Sequence, residues 1–308
     1  MINKKLVIFF TIIFFSIIRT EADIKINYKI GDDIITNIDI LEEKKYITFL
    51  RPNLKNLPLR DLNKIAENSL IKEIIKKKEI SKVFKDNNKL NFTKEIKKTL
   101  FKFKKVGSEK EFLDLLKEDN LEYEKIIEKM KYEALWNELI YQKYNSLVKI
   151  DKEELKKELI NKIKKNKQYE YNLSEILFEV DKNTNLNQKY KEILNYIELN
   201  NFRAASSRYS IASSTNTAGE IGWIKETLLS SEISQILRTM KKNDISKPIE
   251  YPNGYLILKI NDKKEMKKSF NIDKLLEDAI IYERNKQLSQ FSLLLYKKLK
   301  NNITINEY

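Results

Sequence analysis

The side chains that most often carry acid–base and nucleophilic chemistry are missing from this sequence. Its 308 residues include no histidine and no cysteine. Histidine is the residue most often used for proton transfer near neutral pH, and cysteine supplies the reactive thiolate and the disulfide. A Ser-His arrangement, a metal site built on His and Cys, and a disulfide framework are therefore excluded. A glycine-rich phosphate loop is missing too, so we expect neither metal nor cofactor.

Residues that force backbone geometry are concentrated in residues 209–260. The whole chain has five glycines and four prolines. Those in this stretch are Gly219, Gly222, Gly254, Pro248 and Pro252. Glycine adopts positive φ and proline fixes φ near −65°, so such a cluster predicts specified turns. The rest of the chain is mostly typical of long, charged helices.

The elements around these turns follow from hydrophobic periodicity. Apolar residues at helical spacing predict one helix near residues 190–197 and another near 229–240. Pro252 to Gly254 mark a turn. The predicted strands are Asn172–Val180, a short edge strand Asp244–Ile249, and Tyr255–Ile260.

This order of elements resembles the parvulin family of peptidyl-prolyl isomerases, although convergent turns in a generic α+β domain would produce a similar pattern. The motifs that carry the resemblance are Asn172-Leu173-Ser174-Glu175-Ile176-Leu177, Tyr209-Ser210, Ala218-Gly219-Glu220-Ile221-Gly222-Trp223 and Asp244-Ile245-Ser246-Lys247-Pro248-Ile249 followed by Asn253-Gly254-Tyr255. The resemblance implies a parvulin-like, FKBP-like α/β domain.

The polar groups of a parvulin active site are replaced here. Prolyl isomerases must favour a twisted amide, because the barrier comes from the partial double bond of the peptide link. The resemblance implies an apolar proline pocket flanked by two histidines and a cysteine or aspartate. These fall on Glu175, Leu256 and Ala212 respectively, so we expect no catalytic residue. Glu175 could act as an acid, but a carboxylate at the start of a strand is expected to be a surface group.

The apolar floor of the pocket keeps its character. The resemblance places it at Ile221, Ile224, Leu229 and Ile233, which we take as candidate substrate-binding residues. A pocket that keeps its apolar floor and loses its hydrogen-bonding groups can bind apolar side chains but can stabilise a twisted amide only weakly. A degenerate parvulin is expected, with retained weak isomerase activity as the alternative.

The chain outside this segment resembles the SurA family of periplasmic chaperones. The matching pieces are residues 28–40, 119–123 and 148–155, followed after the parvulin segment by an apolar helix stripe from Leu288 to Leu299 and a strand-like Ile303–Asn306. The resemblance implies an α+β protein with a helical domain at 23–167, one parvulin-like domain at 168–263 where SurA has two, and a returning segment at 264–308. In that family the C-terminal helix and strand return to complete the N-terminal domain. The resemblance therefore implies that Ile303–Asn306 pairs beside Ile24–Ile30 in this chain. Trp136 and the helix stripes are expected to be core, or otherwise to line a groove for an apolar peptide.

Residues 1–22 have the pattern of a secretory signal peptide. Lys4 and Lys5 precede an apolar run from Leu6 to Ile18, and small residues follow it. The run is too short to cross a bilayer as a helix, which takes about 20 residues. Because Arg19 follows the apolar run directly, an uncleaved signal anchor is the alternative interpretation. A lipoprotein anchor is excluded, since no cysteine is present to carry a lipid.

The net charge of +14 at pH 7 raises the question of an anionic partner. Lysines alternate with glutamates along the helices, and no known nucleic-acid fold is present, so a solvated surface without nucleic acid is expected.

The sequence therefore predicts an ATP-independent periplasmic chaperone. The resemblance implies unfolded outer-membrane β-barrel proteins as clients, bound in the helical groove and on the parvulin face, and the outer-membrane assembly machinery as a further partner. The rivals are an active peptidyl-prolyl cis-trans isomerase and a membrane-anchored scaffold.

Overall fold

The described residues form an α+β structure, which confirms the fold class predicted from the sequence. A computed structural model describes residues 23–84, 92–165, 167–180, 184–266 and 271–308. The predicted signal peptide, residues 1–22, lies outside the described residues. Within the described ranges, no helix has the length and apolar character needed to cross a membrane.

The chain enters the fold through a hairpin that sets the start of the first helix. Strands β1 (Ile26–Ile30) and β2 (Asp33–Thr36) are antiparallel, and α1 (Asn37–Leu50) follows at once. The Thr36 hydroxyl accepts from the Asp39 N–H at 3.2 Å, and the Asp39 carboxylate accepts from the Thr36 N–H at 2.7 Å. This reciprocal capping box satisfies backbone donors that the first turn leaves free. Thr36 is therefore the N-cap of α1.

The helical part packs five further helices of the described ranges against each other. They are α2 (Leu59–Val83), α3 (Thr93–Lys104), α4 (Glu109–Glu118), α5 (Tyr123–Tyr144) and α6 (Lys152–Lys165). Helix α4 lies between breaks at Gly107-Ser108 and Asp119-Asn120. Trp136 is 1% exposed, so its assignment to the core is confirmed as well.

The second part is a four-stranded antiparallel sheet with helices packed against it. Its elements are β3 (Tyr169–Phe178), α7 (Leu186–Leu199), α8 (Phe202–Tyr209), β4 (Glu220–Lys225), α9 (Ser231–Thr239), β5 (Ile249–Tyr251) and β6 (Gly254–Glu265). The strand order is β4-β3-β6-β5. The predicted edge strand Asp244–Ile249 is wrong in its bounds. Pro248 has no N–H to donate to a ladder, so the strand begins only at Ile249, after an isolated bridge at Ile245.

The last helix and strand return to the beginning of the chain. Helix α10 (Ile272–Asn301) contacts α2, α5 and α6, and β7 (Ile305–Glu307) pairs antiparallel with β1, with Asn306 opposite Lys29. The three-stranded sheet therefore has the order β2-β1-β7. The strand pairing that the resemblance implied is present, whereas the domain boundaries at residues 167 and 263 stay a prediction.

The two parts share buried side chains. One apolar cluster contains Tyr28 and Ile30 of β1 together with Ile176 and Phe178 of β3. Burial of apolar surface is roughly proportional to the area removed from water, so a shared cluster couples the two parts energetically. The four-stranded sheet is thus held against the helical part by its own core residues.

Candidate functional site

The first candidate site lies on one face of the four-stranded sheet. Glu175 of β3 pairs with Leu258 of β6, and Leu177 pairs with Leu256. Paired residues project to the same side of a sheet, and residues two apart along a strand share a face. Glu175 and Leu256 are therefore diagonal neighbours.

Ala212 is brought to the same face by hydrogen bonds around Leu177. The Leu177 N–H donates to Ser210 Oγ at 3.1 Å, and the Leu177 carbonyl accepts from the Ile211 N–H at 2.7 Å. Ala212 follows directly and packs in one apolar cluster with Leu177 and Leu256. The structure thus brings together the three positions that the sequence aligned with a parvulin triad. We call the surface formed by Glu175, Ala212 and Leu256 the parvulin face.

The parvulin face has few side chains that could donate a hydrogen bond or transfer a proton. Ala212 is 9% exposed and Leu256 is 3% exposed, and neither carries a hydrogen-bonding side chain. Glu175 is the one ionisable group of the three. Burial raises the pKa of its carboxyl, with the Ser214 hydroxyl acting in the opposite direction. The expectation of an exposed carboxylate is therefore wrong. Glu175 lies inside β3, not at its start, and is half-buried.

The predicted floor residues do not all meet. Ile224 and Leu229 are buried in the same apolar cluster as Leu256, and Ile233 packs against it. Ile221 is 37% exposed and falls at the irregular step in the pairing of β3 with β4, which moves it out of the cluster. The assignment of the four to substrate binding stays a prediction, but Ile224 and Leu229 have almost no surface with which to contact a ligand.

Helix α10 packs over the parvulin face. Tyr282 and Leu293 of α10 pack against the cluster that contains Ala212 and Leu256. Burial raises the pKa of Tyr251 to about 12, and the nearby Glu175 carboxylate adds to the shift. The Lys225 ammonium of β4 lies 2.5 Å from the Asp278 carboxylate of α10. The face that would have to admit a proline is thus covered by the chain itself.

The second candidate site is a cleft between α2, α5, α8 and α10, with a volume of about 670 Å³. We call this cavity the cleft. Its apolar and aromatic lining includes Trp136, Ile140, Tyr141, Tyr209, Leu288 and Tyr296. The Trp136 indole N–H donates to Ser292 Oγ at 2.9 Å, which ties α5 to α10 across the cavity wall. The size and lining match those of pockets that bind organic ligands or peptide side chains.

Charged groups line one end of the cleft, and sequence reasoning missed them. Arg51, Lys72, Lys76 and Glu133 all line it. A signal was available, because Ser69, Lys72 and Lys76 follow Ile65 at helical spacing and so continue the inward stripe of α2 with polar residues. Polar residues on a buried stripe usually bind one another or a ligand. No group of acidic residues within the described ranges could hold a metal ion.

The comparisons with known proteins agree with this geometry. Residues 172–262 match the Rotamase family, a PPIC-type PPIASE domain. Chaperone SurA of Buchnera aphidicola subsp. Schizaphis graminum is 28% identical over 94% of this chain and 70% of its own length. Chaperone SurA of Pseudomonas putida is 23% identical over 62% of this chain and 48% of its own length.

Among solved structures, a SurA-like chaperone of Campylobacter jejuni is 14% identical and covers 92% of this chain and 98% of its own, with a TM-score of 0.37. That score is too low to add to the sequence comparison. The match to the PPIC-type domain and the similarity to the SurA relatives together support a SurA-like protein of the parvulin family.

Proposed function

We propose that this protein is an ATP-independent chaperone of the periplasm that holds unfolded outer-membrane β-barrel proteins in the cleft, with a parvulin domain that does not catalyse isomerisation. The observation that supports this most directly is the contrast between the open cleft of about 670 Å³ and the covered parvulin face. A protein with these two features can bind extended chains but has few groups that could stabilise the twisted amide of a prolyl bond.

The cleft suits an extended client. A β-barrel strand in its unfolded state exposes apolar residues at every second position and unpaired backbone edges, both of which promote aggregation. Tyr141 is 46% exposed and Tyr209 is half-buried, and both line the cavity, so aromatic surface is available to side chains of a client. Aromatic groups supply large contact areas at a low entropic cost. Binding would be weak at each contact and stronger over several.

The absence of catalysis follows from the groups on the parvulin face. The barrier to rotation about a peptide bond is about 18–20 kcal/mol, and lowering it requires stabilisation of the twisted amide. The methyl group of Ala212 and the isobutyl group of Leu256 cannot donate a hydrogen bond. Glu175 has a raised pKa, and α10 lies over the cluster beside it.

The division of labour rests on the predicted domains. We propose that residues 23–167 and 264–308 form the chaperone body, and that residues 168–263 serve mainly as a wall that supports the cleft. Ser207 and Tyr209 from that segment line the cavity, which is what such a role requires. Of the four predicted floor residues, Ile221 and Ile233 keep surface that could add to client binding.

The first test is suppression of aggregation. A urea-unfolded porin is diluted into buffer with and without the chain from Asp23 onward, and light scattering is followed. We expect scattering to fall in proportion to the chaperone without added ATP. Unchanged scattering at a molar excess would contradict the holding function.

The second test is isomerase activity in a protease-free prolyl-peptide assay. We expect the rate to equal that of the uncatalysed reaction. A clear enhancement that is lost when Ala212 or Leu256 is replaced by a bulky charged residue would favour the isomerase instead.

The third test concerns location. We propose that residues 1–22 direct secretion and are removed, and mass spectrometry of the protein from its native source would reveal an intact N-terminus if they are retained as an anchor.

A further inference from the structure

The charged side chains around the cleft, and around the adjoining pocket that shares Arg51, Lys72 and Lys76 with it, are mostly paired with one another. Lys129 binds Glu43 at 2.7 Å and also contacts Glu73, and Lys76 binds Glu133 at 2.7 Å. Pairing of this kind compensates for the loss of hydration. Of the cations that line the same cleft, the exposed Lys300 and two that are buried or half-buried, Arg51 and Lys72, have no carboxylate within ion-pair distance among the described residues.

Arg51 is a buried cation with unused hydrogen-bonding capacity. It is 8% exposed. Its Nη1 donates to Ser207 Oγ at 3.0 Å and to the Thr215 carbonyl at 2.9 Å, both neutral acceptors. Its Nε is buried and has no acceptor within the described part of the chain. Burial lowers the pKa of the guanidinium to about 10, although the Tyr46 hydroxyl and the Glu43 carboxylate act in the opposite direction.

Lys72 is the second unpaired cation. It is half-buried on α2, and the structure gives it neither a hydrogen bond nor an ion pair among the described residues. Burial lowers the pKa of its ammonium to about 8, and the neighbouring Lys76 adds to that effect. A lysine held in such an environment gains more than an exposed one from an anion that enters the cleft.

We propose that Arg51 and Lys72 form a carboxylate-binding subsite that anchors an extended polypeptide in the cleft. A carboxylate accepts up to four hydrogen bonds, and charge-assisted bonds to arginine and lysine are stronger than neutral ones. The source is either the C-terminal carboxylate of a client or an aspartate or glutamate side chain. This inference rests on the proposed function, because it names the group by which a client would be held.

The surroundings favour a single carboxylate over a polyanion. Glu43, Glu73 and Glu133 lie close to the two unpaired cations and would repel a ligand with several negative charges. Tyr141 and Tyr296 line the same cavity and offer aromatic surface to the rest of a peptide. One negative charge next to apolar side chains is what an acidic or C-terminal segment of an unfolded protein presents.

The test compares three fluorescent versions of a short peptide with alternating aromatic and small polar residues. One has a free C-terminus, one has a C-terminal amide, and one has a C-terminal amide and an internal aspartate. Binding is measured to the chain from Asp23 onward and to Lys72→Met, which removes the charge and keeps an unbranched side chain one atom shorter. The control is Lys82→Met, a lysine on the same helix whose side chain is 69% exposed outside the cleft.

We expect Lys72→Met to weaken binding of a carboxylate-bearing peptide about tenfold and to leave the neutral amide unchanged. We expect Lys82→Met to change none of the three. The peptide that loses affinity identifies the source, C-terminal or side-chain. Thermal unfolding of each variant shows that the fold is intact.

The other outcomes overturn the proposal. Equal binding of all three peptides to both proteins would exclude the carboxylate subsite while leaving the holding function in place. An equal loss for all three peptides in Lys72→Met would show that Lys72 acts without a carboxylate. Failure of every peptide to bind the unmodified protein would contradict the holding function as well.

Discussion

The parvulin face and the cleft lie in the same molecule but have opposite properties. The parvulin face keeps the backbone of its family, and its side chains at the key positions are buried and mostly apolar. The cleft has no motif in the sequence, and it holds open volume, exposed aromatic surface and two buried or half-buried cations without an ion pair among the described residues. The recognisable motifs therefore mark the part of the fold in which the backbone is constrained. The groups available to bind a ligand lie elsewhere, in the cleft.

Gly219 shows why the backbone of the parvulin face has been kept. Its φ is +80°, and a Cβ at this position would lie 2.4 Å from Ser206 Oγ and 2.5 Å from the Glu175 carbonyl oxygen. Its own carbonyl accepts from the Glu175 N–H at 2.8 Å. The glycine is needed to close β4 onto β3, and this need is independent of any catalytic role.

The largest expected effect tests that structural need. We expect Gly219→Ala to lower the free energy of unfolding by about 3–5 kcal/mol, because positive φ and backbone overlap both oppose a methyl group. The matched control is Gly222→Ala, which has φ of +87° but nothing within 4 Å of the added Cβ. It should cost only about 1–2 kcal/mol. Urea unfolding measures both, and equal losses would mean that the close approach to Glu175 is unimportant.

A second prediction separates core from binding site. We expect Leu256→Ala to lower the free energy of unfolding by about 2–4 kcal/mol through a cavity in the core, with no change in the holding of an unfolded porin. Urea unfolding and light scattering measure the two effects separately. A loss of holding in a variant that is still folded would place client binding on the parvulin face and reverse the comparison.

The third prediction concerns pH and the cleft. Lys72 is charged below its pKa of about 8, so affinity for a carboxylate-bearing peptide should be full at pH 7 and fall about tenfold by roughly pH 9. The charged groups that line the cleft with Lys72 are Arg51, Lys76, Glu133, Glu179, Arg208, Lys297 and Lys300, and the pocket next to it adds Glu43, Glu73 and Lys129. Fluorescence polarisation at several pH values gives the profile. The affinity of Lys72→Met should not change with pH. The same pH dependence in Lys72→Met and in the unmodified protein would assign it to another group.

A fourth prediction concerns the aromatic lining. We expect Tyr141→Ala to weaken binding of all peptides, charged or neutral, by about three- to fivefold, since it removes contact area and not charge. Tyr308→Ala is the control, because that side chain is 72% exposed and lies outside the cleft lining. Fluorescence polarisation with the amidated peptide gives the cleanest comparison. An effect restricted to charged peptides would argue against apolar contact in the cleft.

The smallest expected effect is at Glu175. Burial raises the pKa of its carboxyl in the folded state, so the folded protein favours the protonated form. The contribution to stability is therefore complete below the ordinary pKa of 4.5 and is lost as the pH rises through the folded pKa. Glu175→Gln should accordingly raise the melting temperature slightly at neutral pH and not in acid. Exposed Glu250→Gln on β5 is the control, and the same pH pattern there would make the shift non-specific.

The sequence by itself determined the local structure and the missing chemistry. The absence of histidine and cysteine excluded whole classes of catalysis. Gly219 and Gly222 predicted the turn into β4, and the start of α1 is equally local, because Thr36 and Asp39 cap it. Such features can be predicted because capping and positive φ depend on a few neighbouring residues. The strand predicted at Asp244–Ile249 begins only at Ile249, because Pro248 has no N–H to donate to the ladder.

Only the tertiary structure decided which side chains are buried and which face open space. Arg51 finds its acceptors in Ser207 and Thr215, which lie 156 and 164 positions further along the chain. Glu175 is half-buried and lies near tyrosines of β5 and α10, which no local pattern around β3 could show. Burial and charge compensation depend on distant segments that meet in space, whereas caps and turns are specified within a few residues of the chain.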